Sequence, residues 1–178
     1  MSTLSEMHVI DFPGFDTAVV RGPEQSTDGL HHFMDTSFRA IGEAMRQGAF
    51  APAGPAFALY RGILGGGLDG GGLGETVDLE VGHPVDVPLA APVDVDGVRV
   101  EPSSLAAGRL AVAKHTGPYE LLPEAWGAFL DALRADGHEP ADLCWEAYDT
   151  EPGPDVDPET LVTGLAVPVR TVAAGTAR

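Results

Sequence analysis

Within Leu143-Cys144-Trp145-Glu146-Ala147-Tyr148 a carboxylate and a phenol stand two residues apart in an otherwise apolar run. In a strand, alternate side chains share a face, so Glu146 and Tyr148 project together, about 6.7 Å apart along the chain. Cys144 shares their side, while Leu143, Trp145 and Ala147 point the other way as an apolar core face. A second segment, Pro55-Ala56-Phe57-Ala58-Leu59-Tyr60, carries the same pattern, with Tyr60 where the first has Tyr148 and Ala58 where it has Glu146. Here Phe57 and Leu59 take the core face, and Trp145 is accordingly left outside the site. Two tyrosines, several small residues and one carboxylate then line one surface. An acid among aromatic faces attracts a cation, because ring faces favour positive charge and a desolvated carboxylate needs a counter-charge. The same acid can orient or deprotonate a water while a tyrosine polarises an electrophile. A third reading is a solvated edge strand, or a carboxylate paired with Arg99, Arg109 or Lys114.

Positioning these residues falls to a pattern that occurs twice. In the first half Thr17-Ala18-Val19-Val20 reads as a strand ending at Gly22-Pro23. Leu30, Met34, Phe38, Ile41 and Met45 then recur at helical spacing until Gly48. A strand over 55–60 follows, then a glycine-rich loop over 65–74, and Val77, Leu79 and Val81 alternate as a half-solvated strand. In the second half Leu110-Ala111-Val112-Ala113 is a strand ending near Gly117-Pro118. Trp126, Phe129, Leu130 and Leu133 mark one helix face, and 143–148 and 161–167 read as strands. Gly22-Pro23 and Gly117-Pro118 match at an offset of 95, Tyr60 and Tyr148 at 88, and the stretch ending Pro84-Val85 matches the one ending Pro168-Val169 at 84. This ordered series predicts an internal duplication. The expected fold is α+β: two tandem β-α-β-β units, 8–85 and 108–170, about a pseudo-two-fold axis, with a ligand cleft between them. Residues 86–107 are the connector, and 1–7 and 171–178 are expected to be loose.

Composition limits the partners. The 27 acids against 10 bases give a net charge of −17, which repels nucleic-acid phosphates, so direct nucleic-acid binding is not expected. One cysteine excludes a disulfide framework, and the six histidines lack metal-ligand spacing, so neither a metal nor a cofactor is implied. The N-terminus carries no basic, apolar leader, and no run approaches the ~20 apolar residues a membrane span requires, so a cytoplasmic location without membrane contact is expected.

The string His115-Thr116-Gly117-Pro118-Tyr119-Glu120, a helix, Trp145-Glu146-Ala147-Tyr148 and then Val167-Pro168-Val169 resembles the second half of GyrI-like domains. These include the effector-binding domains of multidrug-sensing transcription regulators and free-standing relatives; the first half matches more loosely. The resemblance implies a cleft with an acid at its base, here Glu146, ringed by aromatics, and a ligand that is lipophilic, cationic or planar. It equally implies two other roles found among relatives: hydrolysis of reactive cyclopropane-bearing natural products, with Glu146, Tyr148 and Tyr60 catalytic, or a protein-interaction role such as restraining DNA gyrase. The regulators carry a helix-turn-helix ahead of this domain, and this sequence shows none, so direct transcriptional control is not expected. The ligand-binding set is Glu146, Tyr148, Tyr60, Tyr119 and Ala58. Tyr119 either shapes the Gly-Pro turn or reaches over the cleft, His115 bonds locally, and Trp126 belongs to the core.

Overall fold

The computed structural model describes residues 3–62 and 76–171. The strands are β1 (Thr3–Leu4), β2 (His8–Phe12), β3 (Phe15–Ser26), β4 (Phe57–Arg61), β5 (Thr76–Val85), β6 (Val93–Val95), β7 (Val98–Leu105), β8 (Gly108–Thr116), β9 (His138–Pro140), β10 (Leu143–Tyr148) and β11 (Val162–Thr171). The helices are α1 (Leu30–Arg46) and α2 (Leu122–Ala135). The result is a mixed α/β fold of mostly antiparallel sheet and two helices.

Local chemistry explains both helices. Before α1, Ser26 Oγ accepts the Gly29 N–H at 3.0 Å and closes a single 3₁₀ turn. α2 has Pro123 in its first turn, where a missing N–H costs nothing. Its Leu122, Ala125, Trp126, Phe129, Leu130 and Leu133 are buried, the stripe expected from the spacing. Gly48 and Gly137, both at φ +79°, follow the two helices in the left-handed region that ends them.

The sheet runs β1-β8-β11-β10-β4-β5-β3-β7-β6, with β2 also on β8 and β9 on β11. β10 and β4 form its centre, pairing Cys144 with Tyr60, Trp145 with Leu59, and Glu146 with Ala58. Where β5 passes β3, Gly82 lies so close that a Cβ there would stand 2.0 Å from the Ala18 carbonyl oxygen. Only hydrogen fits.

Several expectations need correction. The first residues described are not loose: Thr3 and Leu4 pair with Thr116 and His115, and Ser5 N–H bonds the Lys114 carbonyl at 2.8 Å. Residues 86–107 do more than connect, since the β6–β7 hairpin turns at Asp96-Gly97 and β7 pairs with β3. Gly22-Pro23 does not end its strand. β3 bulges there and continues to Ser26, with the Glu24 N–H bonded to Asp78 Oδ1 at 2.6 Å. Gly117-Pro118 does follow β8, so the two dipeptides hold different places and their match at 95 is out of step. The glycine-rich loop at 65–74 and the tail beyond 171 lie outside the described residues.

The sheet is apolar on both faces, and here the expectation was inverted. Trp145, Leu59 and Phe57 gather with Val19, Leu105, Leu110 and Ala166 in the smaller cluster. The larger core, under the helices, takes Ala58, Cys144, Leu165 and Val81 with Trp126 and Phe129. Alternation separates two faces of an interior strand but does not say which of them the helices cover.

Candidate functional site

Glu146 sits midway along β10, flanked by Ala58 on β4 and Leu165 on β11. It is only 8% exposed, and Ala58 opposite it is fully buried. The edge-strand reading therefore does not apply. Nor does ion pairing: Arg99 pairs with Glu101, Arg109 with Asp11 and Lys114 with Asp149. Among the described residues no arginine or lysine reaches Glu146.

Its partners are neutral donors. The Trp126 indole, hanging from α2, donates Nε1–H to Oε1 at 2.8 Å, and the Tyr148 hydroxyl donates to Oε2 at 2.9 Å. The Tyr60 phenol neighbours that of Tyr148, and the charge of Glu146 bears on both. The Tyr119 ring packs on the Tyr148 ring at 5.9 Å and 70°, and Trp126 packs on Phe129 at 5.6 Å. The structure thus gathers Glu146, Tyr148, Tyr60 and Tyr119 in one place, with Ala58 supplying a small neighbour.

Electrostatics follow from this burial. Desolvation raises the Glu146 pKa, opposed by the bonds from Trp126 and Tyr148 and by the charge of His115. Burial and the nearby Glu146 raise the phenols of Tyr60, Tyr148 and Tyr119. The phenols therefore keep their protons, and that of Tyr148 is donated to Glu146. The same two causes, in the same order, raise the Cys144 thiol, which stays protonated and inert.

Trp126 is the site residue that the helix stripe concealed. Its place on the apolar face is as read, yet a buried indole N–H requires an acceptor, and the carboxylate supplies it. His115 bonds locally, Nε2 to the Pro118 carbonyl at 3.3 Å. Trp145 lies on the far face, packed on Phe12. Among the described residues no cluster of three or more His, Cys, Asp or Glu side chains could hold a metal. A polar groove of about 540 Å³ between α1 and the β6–β7 hairpin, lined by Arg39, Glu43, Arg46, Asp94 and Asp96, contains none of these residues.

No curated protein matches the chain. Among solved structures, the C-terminal domain of EcmrR is similar over 94% of this chain and 99% of that one, at 16% identity and TM-score 0.70. Against EcmrR in its DNA complex the chain spans 58% of that longer protein. A Listeria innocua protein described as a hydrolase is similar over 93% and 92%, at 16% identity and TM-score 0.62. SAV2435, solved bound to tetraphenylphosphonium, is similar over 93% and 94%, at 12% identity and TM-score 0.60. These identities speak to fold. The model of the GyrI-like small molecule binding domain matches residues 74–170, more than half of the sequence, and the chain belongs to that family.

Proposed function

We propose that the chain binds lipophilic, cationic or planar small molecules in a cleft whose base is Glu146 and whose walls are Tyr60, Tyr119, Tyr148 and Trp126. One observation carries this reading: a buried carboxylate hydrogen-bonded by neutral donors and ringed by aromatics, with Arg99, Arg109 and Lys114 each paired elsewhere and only His115 near enough to bear on its charge. Such a group is short of one positive charge, which a ligand can bring. The tetraphenylphosphonium seen on SAV2435, a lipophilic cation, supports the same chemistry. Titrating the protein with tetraphenylphosphonium by calorimetry tests it. Saturable binding that weakens in Glu146→Gln supports the reading, and no binding removes it.

The duplicated architecture belongs to this proposal. Outward from the centre, β10-β11-β8 on one side is matched by β4-β5-β3 on the other, and each trio encloses a helix in sequence. Tyr60 stands opposite Cys144, while the Tyr148 N–H bonds the Ala56 carbonyl at 2.8 Å, the arrangement a two-fold between Ala58 and Glu146 requires. A sensing or sequestering role in the cytoplasm fits these features; no helix of the described residues is long and apolar enough to cross a membrane.

A second reading is hydrolysis. The bond between Tyr148 and Glu146 joins a proton donor to a carboxyl whose affinity for protons burial has raised, a pairing suited to activating water against an electrophile. The Listeria innocua neighbour described as a hydrolase supports keeping it. Mass spectrometry of cyclopropane-bearing electrophiles incubated with the protein separates the readings: products that vanish in Glu146→Gln select hydrolysis.

A further inference from the structure

We propose that His115 Nδ1 and Thr163 Oγ1 form a subsite beside Glu146 that receives one O–H group, water's in the free protein and a ligand hydroxyl in the complex. The inference rests on the ligand site assigned to Glu146 and adds a second recognition element to it.

The ladders place the residues. Tyr148 on β10 stands opposite Thr163 on β11, which stands opposite His115 on β8. Directly opposed residues share a face, and this is the face that carries Glu146. Thr163 and His115 are fully buried, yet neither Thr163 Oγ1 nor His115 Nδ1 has a hydrogen-bond partner. Among the described residues His138 Nδ1 is the remaining buried side-chain atom in that condition, so two of the three lie in one row. Buried polar atoms are nearly always satisfied, and neighbours left open together mark a place shaped for a partner.

Chemistry then narrows the partner. The Pro118 carbonyl only accepts, so Nε2 of His115 carries the hydrogen of that bond. In the neutral ring Nδ1 is therefore an acceptor. The Thr163 hydroxyl both donates and accepts. An incoming group must donate to Nδ1 and exchange a second bond with Oγ1. A hydroxyl does both; a carbonyl, an ether or a quaternary cation does not. A primary ammonium could donate, but its charge is better met at Glu146. Tyr119 follows Pro118 directly and packs on Tyr148, and both rings are half-buried, so the row lies under the rim of the proposed cleft.

Two probes isolate the subsite: phenyltrimethylammonium and its 3-hydroxy derivative, which differ by one hydroxyl. The wild-type protein should bind the hydroxylated probe about tenfold more tightly, the effect of one well-made hydrogen bond to buried partners. Thr163→Val keeps the shape and should reduce that preference to within about twofold, leaving phenyltrimethylammonium unaffected; Thr163→Ser should retain it. Equal affinities in the wild type, or a preference that survives Thr163→Val, overturn the proposal. In ligand-free protein the ¹⁵N shift of His115 Nδ1 should move on Thr163→Val, because the shared water loses its second anchor. An unmoved shift overturns the pair as a site. If neither probe binds but the shift moves, the subsite stands as a water site and the cationic reading of Glu146 is what fails.

Discussion

Ala58 and Glu146 face each other across the β4–β10 ladder, a methyl group opposite a carboxylate at the centre of the sheet. Opposed side chains have Cβ atoms about 4.5–5.5 Å apart, so a second acid there would meet the first at close range. Ala58→Glu should lower the unfolding free energy by on the order of 3–5 kcal/mol, the cost of an uncompensated buried charge. Urea denaturation measures it, and an unchanged midpoint would show that the row is not buried.

Glu146→Gln keeps the shape and an acceptor for Trp126 while removing the charge. Folding should survive. Affinity for tetraphenylphosphonium should fall by about 2–5 kcal/mol, the range for breaking a desolvated charge pair. Calorimetry on the two proteins gives the difference directly; equal affinities reject Glu146 as the counter-charge.

The pH dependence has a definite sign. Burial raises the Glu146 pKa, so the folded state holds this proton more tightly than the unfolded chain does. The associated stability is fully present below the unfolded value, about 4.3, and is lost as pH rises through the folded value. Relative to Glu146→Gln, the wild type should therefore lose stability with rising pH, while its cation affinity rises over the same interval as the carboxyl ionises. Parallel melting and binding series from pH 4 to 8 check both directions. A constant stability gap refutes the shift.

Tyr148→Phe and Trp126→Phe each remove one donor from the carboxylate. Either should cost about 1–3 kcal/mol of stability by leaving a buried acceptor short of a partner. Both should also push the Glu146 pKa further up, moving the pH-dependent interval to higher values. A variant with wild-type stability and an unmoved interval would place its donor outside the network.

Nucleic acid should be ignored. With −17 of charge and no basic stripe, micromolar protein should leave a short DNA duplex unshifted at physiological salt. A complex that survives moderate salt overturns this.

The second half of the chain was the more legible in its sequence. Alternation in 143–148 placed Glu146 and Tyr148 on one side, and the stripe from Trp126 to Leu133 placed α2. The hidden parts share physical causes. β1 and β2 are short and mixed in polarity, and their pairing with β8 is a long-range choice that local pattern does not encode. The inverted faces arose because strands covered on both sides carry apolar residues in both registers. Trp126 looked like core because it is core, with its polar edge buried too; a tryptophan on an inward stripe is itself a signal to look for the acceptor. The Gly22-Pro23 match misled because a dipeptide at a bulge and one after a strand have the same letters.

The bond from Trp126 to Glu146 joins a helix to the sheet beneath it. It is therefore a fastener as well as a charge-stabilising contact. On the proposed binding mode, a ligand that took Oε1 would displace the indole and remove this tie between α2 and the sheet. Trp145, the other tryptophan, is packed behind the sheet and stays deaf to that event.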